Sequence, residues 1–551
     1  MTDLFAAPLV EREDLSDGAI LLRSPVPLPD PARCVGDWLV RWAAQAPDRI
    51  AFGERPQPGA PWQTITYAAL QDQARAVGAW LLAHGATSDR PVAILSENSI
   101  HHAVMNLGAM HVGVPTASIS TAYSMMSADH VRLSEMIALL EPSVIVVSDG
   151  AAYGTALAAI ASHHNAIVVA SMPAGDMTAF SDLTATPPGP DVDAAFAATG
   201  PDTVARYLFT SGSTGAPKAV INTQRMLTAS QDARLLTWPF LASVPPVIVD
   251  WLPWSHTFGA NHNVNMVLRN GGTLWIDDGR PAPPLIGRTA DNIKEIRPNL
   301  CFNVPRGYDM LAEAMAQDAD LRTAFFDMTL LFYAGAALPQ SVWETLETLS
   351  QRMAGRTMPM VAAWGMTETA PLATDCHFQA PRSGNIGLPT PGVEIKLAPV
   401  ADKLEIRVRG PNVTPGYFKN AEATAEAFDA DGFYRSGDAV RLADPGDPAR
   451  GMFFDGRLSE NFKLTSGTWV AAGALRLAGI DALQPVAQDI AIAGHDRDFI
   501  GFLIVPNVPA CCRLADLAGD TPLAEVLAHP AVIEHVARGL AALKAGAEGA
   551  S

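Results

Sequence analysis

The chain sets Thr210, Ser211, Gly212, Ser213, Thr214 and Gly215 side by side and follows them with Pro217 and Lys218. Glycine lets a backbone approach closely and adopt positive φ, and hydroxyls add short donors. A row of backbone N–H groups makes a concave anion site. Lys218 supplies one point charge. That combination is phosphate chemistry. The spacing departs from the common G-x-x-x-x-G-K-[ST] loop: counting from Gly212, Pro217 rather than glycine precedes Lys218, and Ala219 follows it.

An apolar run, Val204 to Phe209, leads into the loop and another begins at Ala219, so two strands are expected to hold it. Upstream, residues 34–50 read as an amphipathic helix closed by Pro47. Thr66 is placed to cap a second helix, in which Leu70, Ala74, Val77 and Leu81 recur at helical spacing. Apolar strands then alternate with helices: PVAILSEN, a helix near 100–112, VGVPTASI, a helix near 128–140, PSVIVVSD, a helix near 151–161, and AIVVAS. Such strands predict a parallel sheet covered on both faces. A Pro-rich connector precedes the loop, and a second α/β region is expected from about 204 to 375.

After residue 385 short alternating segments broken by Gly and Pro predict a small β-rich unit. Past Gly456–Arg457 the pattern becomes a small α+β piece, with DIAIAG and IGFLIVPN as strands and a helical, Ala-rich end from Pro522 to Ser551. The expected class is α/β with a small β-rich subdomain. A large domain over 1–456 would hold two α/β subdomains plus a β-barrel, and a small α+β domain would span 457–551.

At 551 residues the chain is too long for one core. Hydrophobic residues make up 48% and charged residues 17%, a globular balance. A net charge of -19 argues against nucleic acid as a partner, because Lys and Arg must neutralise its phosphates. It leaves small anions open to local backbone N–H groups. The start, MTDLFAAPLVERED, has no basic segment followed by an apolar one, so no secretory signal is read. No stretch approaches the roughly 20 apolar residues of a membrane helix. The five cysteines, Cys34, Cys301, Cys376, Cys511 and Cys512, form no C-x-x-C pair. A reducing, cytoplasmic location is expected, rather than a disulfide framework or a zinc site.

The loop T-S-G-S-T-G-x-P-K resembles the signature of the adenylate-forming enzymes: acyl-CoA synthetases, adenylation domains of peptide synthetases and firefly luciferase. Four further stretches agree in order and spacing. YAGAAL, from Tyr333, resembles the adenine-binding segment, and WGMTETA, from Trp364, the aromatic-Gly-x-Thr-Glu motif. YRSGDAV, from Tyr434, resembles the Ser-Gly-Asp motif, and FFDGRLSENFKLTSGTWV, from Phe453, the hinge into a mobile small domain. The resemblance implies ATP, Mg²⁺ and coenzyme A as cofactor and co-substrates. It also implies catalytic roles for Thr210, Lys218, His256, Thr367 and Glu368. Glu368 offers a hard carboxylate to Mg²⁺, and the Thr367 hydroxyl suits the α-phosphate or acyl carbonyl. Gly335, Ala336, Ala337 and Trp364 would meet adenine, while Asp438 and Arg457 would hold the ribose.

DWLPWSHTFGANHN carries His256 and His262, six apart with no nearby Cys or acidic residue to complete a metal set. The resemblance instead runs this stretch along an acyl pocket, with Trp254, His256, Phe258, Asn261, Gly335 and Met366 around the acid. His256 would stand between the acyl-adenylate and the thiol channel. Within the superfamily the chain is most similar to bacterial feruloyl-CoA synthetase, on the strength of its residues 17–55 and of NFKLTSGTWV. An aryl, hydroxycinnamate-type acid is the implied substrate, activated as acyl-AMP and passed to CoA.

Two departures bear on that expectation. Ser459 stands at the pivot, where Asp or Lys is usual, and the family's adenylation lysine in a Gly-Lys type motif is not found. Lys544 lies in another context and receives no catalytic role. The expectation drawn is a C-terminally shortened chain that binds ATP and adenylates slowly. The alternatives are a nucleotide- or acyl-adenylate-binding protein with little turnover, and an enzyme for another acid or acceptor.

Overall fold

The Thr66 hydroxyl oxygen accepts from the Ala69 N–H at 3.3 Å and starts the helix Tyr67–Ala83. Leu70, Ala74, Val77 and Leu81 are fully buried, as their spacing predicts. Each of the three larger side chains gains roughly 1.5–3 kcal/mol by leaving water. They pack toward the helix Ile100–His111, which Ser99 caps in the same way at 3.0 Å. The computed structural model describes residues 4–211 and 217–546.

These helices cover a seven-stranded sheet. Its order is Pro217–Thr223, Val204–Ser211, Thr116–Ser118, Val92–Ile94, Val144–Asp149, Ile167–Met172 and Thr178–Ala179. All pairs are parallel except the first, a hairpin whose register sets Thr210 opposite Lys218 and Ser211 opposite Pro217. The strands flanking the phosphate-type loop thus extend the first sheet, not a second α/β region. The sequence shows that these segments are strands. It does not show which sheet they join, because that depends on distant pairing partners.

A second sheet pairs Val247–Asp250 and Thr273–Ile276 with Ile50–Glu54 and Gln63–Thr66. The third sheet has 11 strands. It begins at Glu11–Asp14 and Ile20–Arg23 and runs through Glu394–Val400, Lys403–Arg409, Tyr434–Leu442, Met452–Arg457 and Asn385–Pro389. It continues across Leu372–Asp375 into the parallel strands Met360–Gly365, Leu330–Tyr333 and Leu300–Asn303. The β-rich unit and the second α/β region therefore share one hydrogen-bonded sheet. The architecture is mixed α/β, with a large N-terminal part and a smaller C-terminal part.

Beyond Arg457 the chain forms the helix Ala472–Ala482, the antiparallel pair Ala487–Ala493 and Gly501–Pro506, and the helices Val508–Ala515, Leu523–Ala528 and Pro530–Gly546. This part touches the rest through Ser341, whose hydroxyl donates to Asp481 Oδ1 at 3.1 Å, and through Arg513, 3.3 Å from Glu313. No helix among the described residues is long and apolar enough to cross a membrane.

Candidate active site

The parallel strands Leu330–Tyr333 and Met360–Gly365 end at one cleft, open to solvent, that spans roughly 1050 Å³ with the solvent at its mouth included. Ligands of open α/β sheets bind at such carboxyl ends. Beyond the first strand, Ala334 to Ala337 form one wall, and Ala362 to Gly365 form the next. Apart from Trp364, these residues have small or no side chains and leave room for a slot. Gly335 has φ +83, a conformation that favours glycine. At Gly365 a Cβ would lie 1.5 Å from the Pro371 carbonyl oxygen, so only glycine fits the turn out of the strand.

The opposite wall is aromatic. Phe258 and His262 project from the wide-turned helical segment Phe258–Val264, and both meet Phe332. Ring centroids lie 5.7 Å apart for Phe258–Phe332 and 5.0 Å for the stacked His262–Phe332 pair. The Arg234 guanidinium, 3.0 Å away, donates to Nε2 of His262, and Nδ1–H donates to Asn263 at 2.8 Å. Burial first, and the Arg234 charge second, push this imidazole down to about 3. With both nitrogens engaged, His262 presents ring carbons to the slot and has no lone pair left for a metal. Arg234 is itself fully buried against Asp375 at 2.6 Å.

At the polar end, the Trp364 indole N–H donates to Asp438 Oδ2 at 2.9 Å, and Arg457 Nε stands 3.4 Å from Oδ1. Burial pushes the Asp438 carboxyl up, while Trp364 and Arg457 oppose that rise. His256 borders the same cleft; its Nδ1 accepts from the Phe258 N–H at 3.2 Å, which leaves the neutral ring's proton on Nε2. Its ring meets solvent in the cleft, yet surrounding protein pushes its pKa below the ordinary value.

A second cluster follows the Gly365 turn. The Tyr417 hydroxyl donates to Glu368 Oε1 at 3.1 Å and lies 3.1 Å from the Tyr434 hydroxyl. Lys218 Nζ sits 5.1 Å from the centre of the Tyr417 ring. Burial pushes the Glu368 carboxyl up; its hydrogen bonds and the Lys218 charge pull it down. The Phe418 N–H donates to Ala219 at 2.9 Å and the Ile221 N–H to Gly416 at 3.1 Å, which fastens the lysine-bearing strand to this cluster. Thr210 is held opposite Lys218, and Thr367 is buried beside Glu368.

Of the residues selected from sequence, His256, Phe258, Gly335, Ala336, Ala337, Trp364, Asp438 and Arg457 meet at the cleft. Gly212, Ser213, Thr214 and Gly215 lie outside the described residues, as does the Ser211 side chain. Trp254 does not reach the cleft: it is buried in the core, edge-on to Phe52 and His102. Asn261 is fully buried and donates to Asn222 at 2.6 Å and Thr257 at 3.0 Å. Met366 is half-buried against the core of the antiparallel strands. The sequence reading weighed His262 only as a metal ligand and passed over Phe332, Tyr417 and Tyr434. Tyr434 stood inside a quoted motif. Phe332 and Tyr417 carry no local signal beyond an aromatic side chain.

Among the described residues no group of three or more His, Cys, Asp or Glu side chains stands together to hold a metal. A Mg²⁺ that keeps waters and phosphate oxygens needs only one or two carboxylates, and buried Glu368 beside hydroxyl groups fits that demand.

A cleft at strand ends, with a carboxylate and an indole at one end and an aromatic slot at the other, defines an α/β enzyme of the adenylate-forming kind. The family model described as AMP-binding enzyme matches residues 39–418, and the chain belongs to that family. It is 26% identical over 510 residues to a carboxylic acid reductase of Mycobacterium marinum, covering 82% of this chain and 40% of that protein. It is 28% identical over 418 residues to a feruloyl-CoA synthase of Amycolatopsis, covering 74% and 76%. The fold matches ATP-bound MatB from Rhodopseudomonas palustris with a TM-score of 0.66 at 23% identity, covering 86% and 88%. The chain thus spans well under half of the reductase it matches.

Proposed function

We propose that this chain is an ATP-dependent acid–thiol ligase joining an aryl carboxylic acid of the hydroxycinnamate type, such as ferulate, to coenzyme A. In the first step a carboxylate oxygen of the acid attacks the α-phosphorus of ATP. The bond from that phosphorus to the bridging oxygen breaks, and pyrophosphate leaves. In the second step the thiolate sulfur attacks the acyl carbon, the carbon–oxygen bond to phosphate breaks, and AMP leaves.

The observation that carries this reading is the run of one cleft from the Trp364–Asp438–Arg457 end to a slot between small residues and the Phe258–His262–Phe332 wall. The first end suits a ribose and an adenine face; the second suits a planar ring. Likeness to a feruloyl-CoA synthase supports the hydroxycinnamate assignment. Lys218 and Thr210 would meet the phosphates of ATP, whose negative charge otherwise repels the incoming carboxylate. Thr367 would donate to the α-phosphate. A Mg²⁺ on Glu368 would supply charge neutralisation across the triphosphate.

His256, neutral with its proton on Nε2, would donate along the path between the acyl group and the thiol. A second cleft of about 1020 Å³ shares Ala336 and Ala337 with the first and opens between Arg306 and Arg476. It would admit the thiol arm of coenzyme A. We assign residues 1–456 to a large domain and 457–551 to a small one, with Gly456, at φ +86, at the pivot.

The test is AMP release in the presence of ATP, coenzyme A and a panel of aryl and alkyl acids. Release that depends on ferulate-like acids supports the reading. AMP formed only with alkyl acids, or no acid-dependent AMP, overturns it.

A further inference from the structure

Arg206 lies on the strand Val204–Ser211, four positions before the loop threonine Thr210, and only 4% of its surface is exposed. Its Nη2 reaches the Met110 sulfur at 3.8 Å, and its Nε has no partner. Among the described residues no carboxylate forms an ion pair with it. Burial pushes the guanidinium down to about 10, which still leaves it charged at neutral pH. An uncompensated charge in an apolar interior is strongly unfavourable.

The guanidinium borders a small cavity, separate from the catalytic cleft, whose lining residues are all buried. Trp254 also borders it, and the Trp254 indole N–H is a second buried donor without a partner. The wall is otherwise apolar except for Asn106, whose Oδ1 accepts from the Thr116 hydroxyl at 2.6 Å. The nearby His102 brings no negative charge. Burial and Arg206 push its imidazole down to about 4, and its nitrogens meet the Glu97 carbonyl at 3.0 Å and the Ser118 hydroxyl at 2.9 Å. Two residues on the wall of one cavity thus each carry a buried donor, Arg206 Nε and the Trp254 indole N–H, that meets no acceptor of the chain. A water molecule could accept from both but would bring no charge.

We propose that this cavity binds one small monovalent anion of the halide class, held by the Arg206 guanidinium and the Trp254 indole N–H. The space admits about one water-sized body, which excludes phosphate, sulfate and carboxylates. Ala260 and Val264 close the cavity from the same helical segment whose Phe258 and His262 line the catalytic cleft. The bound anion therefore braces the back of the acyl slot.

Thermal melts at constant ionic strength, with sodium gluconate exchanged for chloride or bromide, test the proposal. An anion that binds only the folded state raises Tm by about 2 °C or more as it saturates. Arg206→Met keeps an unbranched side chain, removes the charged head and is expected to abolish the halide-dependent rise. Should that variant fail to fold, wild-type crystals grown in bromide decide: an anomalous-scattering peak between Arg206 and Trp254 is expected. Equal Tm in gluconate and halide, a halide-dependent rise that survives in Arg206→Met, or no bromide peak in the cavity would each overturn it.

Discussion

The Trp364 indole N–H and Asp438 Oδ2, 2.9 Å apart, join the end of a parallel strand to an antiparallel strand of the same sheet. This bond fixes the carboxylate with Oδ1 directed toward Arg457, 3.4 Å away. Asp438→Asn keeps an acceptor but loses the charge, and hydrogen bonds to charged groups contribute roughly 1.5–3 kcal/mol. AMP affinity, measured by calorimetric titration, is expected to fall about tenfold or more. Unchanged affinity would remove Asp438 from the nucleotide site.

Lys218 and Glu368 share Tyr417: the lysine lies over its ring at 5.1 Å and the carboxylate takes its hydroxyl at 3.1 Å. Positioned charges of this kind are worth on the order of 10²–10³ in turnover. Lys218→Ala is expected to lower acid-dependent pyrophosphate exchange by about that factor, with little change in Tm because the side chain is only half-buried. Exchange within about twofold of wild type would exclude the lysine from adenylation.

Local order was legible in the sequence, and long-range order was not. The Thr66 cap and the spacing Leu70–Ala74–Val77–Leu81 are written within one helix, and the structure repeats them. The destination of strand Val204–Ser211 and the pairing of Ile20–Arg23 with Glu394–Val400 depend on partners far along the chain. The acyl wall shows the same limit at short range. The family resemblance placed both Phe258 and Asn261 around the acid. In a segment with i→i+5 bonding the turn widens, so His262 joins Phe258 at the cleft and Asn261 turns into the core. Trp254 was expected in the pocket because the resemblance runs its stretch along the acid, but the chain turns at Pro253 to His256 and its ring packs on Phe52 in the core.

Asp250 gives the fold a pH dependence. Its fully buried carboxyl accepts from the Leu252 N–H at 3.2 Å and from Asn263 at 3.0 Å, yet burial pushes it up to about 7. Unfolded, it titrates at its ordinary value of 3.8. Between those values the folded state holds a proton that the unfolded state has released, so stability falls as pH rises. The contribution is complete below the unfolded pKa and is lost through about pH 7. Urea melts are expected to show wild type losing stability between about pH 5 and about pH 8 relative to Asp250→Asn, which cannot titrate. Parallel profiles for the two proteins would contradict the shift.

His262 separates the two jobs of one side chain. Its Nε2 satisfies a fully buried Arg234, while its ring stacks on Phe332 along the slot. His262→Phe keeps the ring and leaves a charged donor facing carbon, a loss of about 2–3 kcal/mol. His262→Gln offers Arg234 an amide oxygen and gives up the aromatic face, so its stability loss is expected to be smaller, about 1 kcal/mol. Activity is expected to run the other way. With an aryl acid, kcat/KM should fall further in His262→Gln than in His262→Phe, because only phenylalanine preserves the flat wall. Urea denaturation gives the first order and steady-state kinetics the second. If the more stable variant were also the more active one, the ring would have no role in the slot, and His262 would serve Arg234 alone.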